Sequence, residues 1–139
     1  MLIYEILDAV EAANTREEKM QVLASNDCLA LRDLMKINFD PKVKLHLSKR
    51  IDWTPADQPT KNLKDITKFL VPYVERSDEK RQELVDNSFK QMLESIHPMD
   101  AQLLMLIVRK KLKVKGLTDM IVRGVWGDRL FGEVKYNKY

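Results

Sequence analysis

The sequence predicts an all-α fold in one domain, on three observations. Its first 115 residues contain no glycine; Gly116, Gly124, Gly127 and Gly132 all fall in the last quarter. Apolar residues recur at intervals of three and four, the period of one face of a helix. No pair of strands and no internal repeat is visible. With 139 residues, 45% hydrophobic and 32% charged, the chain can bury one core and is too apolar to stay disordered. About seven to eight short helices are expected over 1–130, followed by a tail over 131–139.

Leu2, Ile3, Ile6, Leu7 and Val10 place the first helix up to about Ala13. Thr15 with Glu18 three residues on is a capping box, opening a helix that carries Met20, Val22 and Leu23. Ser25-Asn26-Asp27 ends it and caps a third, whose apolar stripe is Cys28, Leu31, Leu34, Met35 and Phe39. Asp40-Pro41 reads as an N-cap with proline at the first helical position, so a short basic helix is expected from Lys42 to about Lys49. Residues 50–60, with Trp53, Pro55 and Pro59, read as an irregular loop.

A fifth helix is expected from near Asn62, using Ile66, Phe69, Leu70 and Tyr73 and bent or shortened by Pro72. Ser77-Asp78-Glu79 opens a sixth, with Leu84, Phe89, Met92, Leu93 and Ile96 inward. His97-Pro98-Met99-Asp100 breaks the chain before a helix that is apolar nearly all round (Leu103, Leu104, Leu106, Ile107, Val108), which marks it as central. Its end turns basic, and Gly116 is expected to stop it. Thr118 caps an eighth helix with Met120, Ile121 and Val125, ending at Trp126-Gly127, before a tail that is coil or a short strand.

The net charge of +3 is small, but it is unevenly spread. Residues 109–139 carry nine Lys/Arg against three Asp/Glu, and 42–68 carry seven against three, whereas the remainder is acidic. Two basic segments on an acidic chain suit a surface that faces an anionic polymer. If they share one face, nucleic acid is favoured; scattered charge or an exposed apolar patch favours a protein partner.

Several classes are excluded or unsupported. No apolar run approaches the length of about 20 residues a membrane helix needs. The N-terminus lacks a basic region before an apolar block, so no secretion signal is expected. Cys28 is the one cysteine, which forbids an internal disulfide and points to a reducing cytoplasm. With only His46 and His97, no multi-histidine metal site is expected. There is no glycine-rich phosphate loop and no Gly-x-Ser-x-Gly elbow, and His97, before a proline, is expected to cap a helix. No catalytic residue, metal or cofactor is therefore expected, and the chain reads as a non-enzyme.

The richest lead is the basic helix end followed by Gly116. A cationic helix terminus, a tight turn and the next helix's N-terminus present side-chain cations and backbone N–H groups together, which suits phosphate oxygens. Candidate contacts are Arg109, Lys110, Lys111, Lys113, Lys115, Gly116, Thr118 and Arg123. Trp126 reads as a core anchor.

The same residues carry a family resemblance. Asp100-Ala-Gln-Leu-Leu-Met-Leu-Ile-Val-Arg-Lys-Lys-Leu112 resembles the penultimate helix of the N-terminal DNA-binding domain of T-even-type phage ATP-dependent DNA ligases. Gly116-Leu-Thr-Asp-Met-Ile-Val-Arg-Gly-Val-Trp126 is similar to that family's glycine-led turn and last helix. Ile6-Leu7, Thr15-Arg-Glu-Glu-Lys19, Val22-Leu23, Asn26-Asp27 and Leu31 follow in the order seen there. The resemblance implies an all-helical domain that holds duplex DNA around a nick through phosphates and the minor groove, with Lys110, Gly116, Thr118 and Arg123 in or beside the DNA-facing turn. It departs in two ways: the stretch from Leu112 to Gly116 is one residue longer, and the Lys-x-Asp-Gly adenylation motif is missing.

The resemblance and the missing motif together imply a stand-alone, non-catalytic phage protein in the host cytoplasm. It would bind duplex DNA, nicked or intact, without sequence preference, alongside a phage or host replication or transcription protein and no membrane. The alternative is a protein-interaction or virion-structural adaptor that kept the fold without DNA binding.

Overall fold

A computed structural model describes residues 2–45, 47–48, 50–70, 82–127 and 130. Among them are seven α-helices, one 3-10 turn and no strand. The helices are α1 (Ile3–Ala12), α2 (Arg16–Ser25), α3 (Leu29–Phe39), α4 (Leu63–Ile66), α5 (Gln82–Leu93), α6 (Pro98–Val108) and α7 (Asp119–Trp126). The 3-10 turn, Thr67–Leu70, continues α4. The all-α expectation holds.

Three helices make the centre. Ile3, Ile6, Leu7 and Val10 of α1, Leu31, Leu34, Met35 and Ile37 of α3, and Ala101, Leu104 and Ile107 of α6 are buried in one cluster. Their spacing of three and four closes a continuous stripe on each helix, and burying those stripes against one another is the main stabilising term. On one flank α2 packs on both α1 and α7, and on the other α4, its 3-10 turn and α5 cover α3 and α6.

The caps explain most boundaries. Thr15 Oγ1 accepts from Glu18 N–H at 3.1 Å, and the Glu18 carboxylate reaches back to Asn14 N–H, also at 3.1 Å. The expected box thus closes one residue early. His97 caps α6, its Nδ1 accepting from Met99 N–H at 3.1 Å. Between α2 and α3 the cap falls on Cys28, whose Sγ accepts from Leu31 N–H at 3.4 Å, rather than on Asp27. Asp27 is engaged elsewhere: Arg32 binds it through two nitrogens, and Trp126 Nε1–H donates to its Oδ1 at 2.9 Å. This tie anchors α7 to the α2–α3 corner and makes Trp126 the expected anchor. The Arg32 guanidinium holds the Asp27 carboxyl below the usual carboxylate range, against the raising effect of burial.

Leu2, at the N-cap of α1, has no polar side chain; Glu5 of the first turn accepts Leu2 N–H at 2.8 Å, and a second acceptor arrives from α6. Asp100, 1% exposed, accepts Tyr4 N–H at 2.9 Å, placing a carboxyl at the positive end of α1. Burial raises the pKa of Asp100, opposed by that N–H.

Other expectations fail in this part of the fold. No helix forms over the described part of 42–49: Asp40 Oδ1 accepts Lys42 N–H at 2.9 Å, and the chain then leaves the helical path. Val43, Leu45 and Leu47 pack toward the core while Lys44 is exposed, so the real period is two, that of extended backbone. Phe69 and Leu84, expected inward, are 54% and 55% exposed, with Leu70 and Val85 buried beside them. The 3-10 turn changes the face that Phe69 occupies, and the inward stripe of α5 runs through Val85, Phe89 and Leu93. On α7, Ile121 and Val122 are buried and Met120 is exposed. Tyr73, Pro72, the Ser77-Asp78-Glu79 opening and the tail over 131–139 lie outside the described residues.

The α3 residue Asp33 has a buried carboxylate oxygen with no partner among the described residues, and burial pushes its pKa up to about 6 against the nearby charges of Lys36 and Arg32. A raised carboxyl pKa stabilises the fold fully below the ordinary value of 3.8, and that contribution is lost as pH rises through about 6. Asp33→Asn should therefore be more stable than the wild type at about pH 7.5 and no more stable at about pH 4. The expected gain is about 1–2 kcal/mol, less than the ~3 kcal/mol that full enclosure would give. Urea unfolding at the two pH values checks it; equal gains at both would show that ionisation of Asp33 is not the cause.

Candidate nucleic-acid interface

The basic segment after α6 begins with a left-handed residue that is not glycine. Lys110 has φ +59°, and its N–H donates to Ile107 O at 2.9 Å while Lys111 N–H donates to Leu106 O at 2.8 Å. This is a Schellman closure, so α6 is stopped at Lys110 and not, as expected, at Gly116. A side chain in this backbone region is strained unless something holds it. Lys110 Nζ is held: it donates to Asp40 O at 2.6 Å and to Ile37 O, the open carbonyl end of α3. Burial lowers the Lys110 pKa, helped by the charge of Lys44 and opposed by that of Asp40. Arg109, beside it, donates to Ser48 O.

Lys19 does the same for α1. Its Nζ donates to Val10 O at 2.9 Å, Glu11 O at 3.4 Å and Ala13 O at 2.7 Å. Gly116, φ +82°, lies over this side chain; a Cβ there would stand 2.7 Å from Lys19 Cε. The carbonyl ends of α1, α3 and α6 thus meet around residues 109–116.

Between these fixed points, residues 111–115 alternate. Lys111, Lys113 and Lys115 are exposed, whereas Leu112 and Val114 pack on the core. Besides Lys111 N–H on α6, the backbone is pinned twice more: Leu112 N–H on Asn38 Oδ1 at 3.2 Å, and Lys115 N–H on Glu11 Oε1 at 3.0 Å. Three lysine side chains consequently leave the outer side of the backbone at every second residue, their Cα atoms at roughly 6–7 Å intervals for extended chain. None of the three pairs with a carboxylate among the described residues.

The two basic segments meet, but only in part. Lys110 on Asp40 and Arg109 on Ser48 dock residues 40–48 alongside the turn, bringing in the exposed Lys42 and Lys44. Lys64 instead acts on Asp100, at the other end of α6, about 15 Å away by helix rise. Arg50 pairs with Asp52 at 3.3 Å.

Of the eight expected contacts, Lys111, Lys113 and Lys115 are free to meet a ligand, and Gly116 and Thr118 are exposed beside them. Thr118 also caps α7, accepting Ile121 N–H at 3.4 Å. Arg109 and Lys110 are engaged inside the molecule. Arg123 stands 3.8 Å from Asp119 one turn earlier on α7. Sequence reasoning missed Lys42 and Lys44 as neighbours of the turn; the signal was the alternation of Val43, Leu45 and Leu47. Among the described residues no three His, Cys, Asp or Glu are grouped to hold a metal ion, and no helix is long and apolar enough to cross a membrane.

Residues 6–114 match DUF6433, a family of unknown function. The chain belongs to this family. The matched region runs from α1 into the alternating lysines. No curated protein and no solved structure matches the chain.

The division between engaged and free cations is testable. Lys110→Ala should cost about 2–3 kcal/mol, because it removes the partner of Ile37 O, one of the two donors to Asp40 O and whatever holds this left-handed residue in place. Lys110→Gly loses the same hydrogen bonds but not the backbone preference, so it should be about 1 kcal/mol less damaging. Lys111→Ala should stay within about 0.5 kcal/mol of the wild type. Urea midpoints of the three variants would expose an error in this assignment if Lys110→Ala proved as mild as Lys111→Ala.

Proposed function

We propose that this chain is a non-catalytic module that binds duplex DNA through its phosphates, without reading sequence, in phage DNA metabolism. The observation that carries the reading is the row of Lys111, Lys113 and Lys115: exposed, unpaired with carboxylates among the described residues, and held on a backbone pinned to α1, α3 and α6. A backbone already pinned loses little freedom on meeting a polyanion, so the ordering cost of binding falls on the lysine side chains alone. Lys42 and Lys44 extend the same face. The resemblance to the N-terminal domain of T-even-type phage ligases supports duplex DNA as the polyanion.

The base-reading side of such a site is poor. The residues interleaved with the lysines, Leu112 and Val114, face the core, and the sequence carries no helix rich in Asn, Gln and Arg to read base edges. Contacts to phosphate position a protein on DNA without specifying sequence.

Fluorescence anisotropy of a labelled duplex, nicked and intact, tests the reading. Micromolar or tighter binding at low salt that weakens steeply toward physiological salt is expected, equal for unrelated sequences. Lys111→Glu with Lys113→Glu should abolish binding and leave the helical circular dichroism unchanged. If the wild-type protein binds neither duplex even at low salt, the DNA reading falls and the protein-adaptor alternative takes its place.

A further inference from the structure

We infer that Lys111, Lys113 and Lys115 neutralise three neighbouring phosphates of a single strand within a duplex, one lysine to each, and that the site favours duplex over single-stranded DNA. This rests on the proposed DNA binding and specifies how the site is occupied. The exposures alternate without a break from Lys111 to Lys115, so the three side chains start from a line along the backbone and not from a cluster. A line at roughly 6–7 Å intervals tracks one backbone, where a cluster would bracket a single anion. Lys110, the residue before the line, is turned inward onto Asp40 and Ile37, and Gly116, after it, closes over Lys19. The count is therefore three, with both ends defined.

The preference for duplex comes from the residues that flank the line. Binders of single strands add aromatic faces on which bases stack, worth about 1–3 kcal/mol per base. Here the interleaving residues are aliphatic and inward, and the indole N–H of Trp126 is tied to Asp27. Among the described residues of the line only charge remains, and a duplex carries more of it per length than a single strand.

The experiment is a salt titration of affinity, by anisotropy, for one intact duplex and one of its strands. It uses the wild type, Lys111→Ala, Lys113→Ala, Lys115→Ala and the triple variant. On duplex each single variant should flatten the slope of log affinity against log salt by about 0.9, and the triple variant by about 2.7. The line then accounts for about a 40-fold loss of wild-type affinity between about 50 and 200 mM salt. The single strand should bind more weakly, each lysine contributing about 0.7 to its slope.

Duplex binding with an unchanged slope in folded variants would overturn the three-phosphate line while leaving the DNA reading intact. A single strand bound as tightly as the duplex would overturn the preference. Absence of any binding by the wild type would overturn the DNA reading and this inference together. Circular dichroism and a urea midpoint for each variant separate loss of contact from loss of fold.

Discussion

Three helices of this molecule end at the same place, and the cations that receive their open carbonyls set the architecture around them. α1 finishes on Lys19, α3 on Lys110, and α6 on the backbone of Lys110 and Lys111. A helix leaves four carbonyls unpaired at its C-terminus and carries about half a negative charge there. Bringing three such ends together would be unfavourable without compensation. Lys110 resolves two ends with one residue, its main chain turning α6 and its side chain closing α3, at the expense of a left-handed backbone conformation. Residues 40–48 and 109–116 are then no longer free to wander, because each is stitched to what the other caps.

This constraint separates two kinds of positive charge that composition cannot separate. Three helix ends amount to about −1.5 charges. Lys19 and Lys110 supply two positive charges directly onto the ends of α1 and α3, and backbone N–H groups close α6, which together meet that need. Lys42, Lys44, Lys111, Lys113 and Lys115 are surplus. Glu11, beside the line, gives a carboxylate oxygen to a backbone N–H rather than to an ammonium. The surplus is therefore not explained by folding, and that gives the turn its interest as a binding surface.

The sequence discloses the parts of the fold governed by local rules. The stripes of α1, α3 and α6, and the caps at Thr15, His97 and Thr118, depend on spacing and on one side chain meeting a nearby N–H. Where a distant partner decides, the sequence is silent. Asp27 looks like a cap because nothing near it announces Arg32 and Trp126 as a pair of donors. Lys110 looks like a surface contact because its partners, Ile37 and Asp40, lie about 70 residues away in the chain. The stretch from Lys42 misleads for another reason: an Asp-Pro start is a strong helix signal, and five residues of alternation after it are a weak strand-like one. The same short alternation hides the geometry of 111–115, although each of its lysines is legible as a contact.

The opposite end of the central helices shows that the polarity is built in rather than accidental. α1 and α6 are tied at their starts by Asp100 on Tyr4 N–H, and near their ends by Glu11 on Lys115 N–H, so they run in the same sense. Parallel neighbours align their dipoles, which is unfavourable unless each end is met by the opposite charge. A buried carboxyl meets the starts and lysines meet the ends. The resulting field would point the same way whatever the protein binds, so a basic face at 109–116 alone says little about function. What the dipoles do not require is that lysines 111, 113 and 115 be lined up, unpaired, on a backbone fixed from three sides. That arrangement makes a phosphate backbone a better reading of this face than helix capping alone.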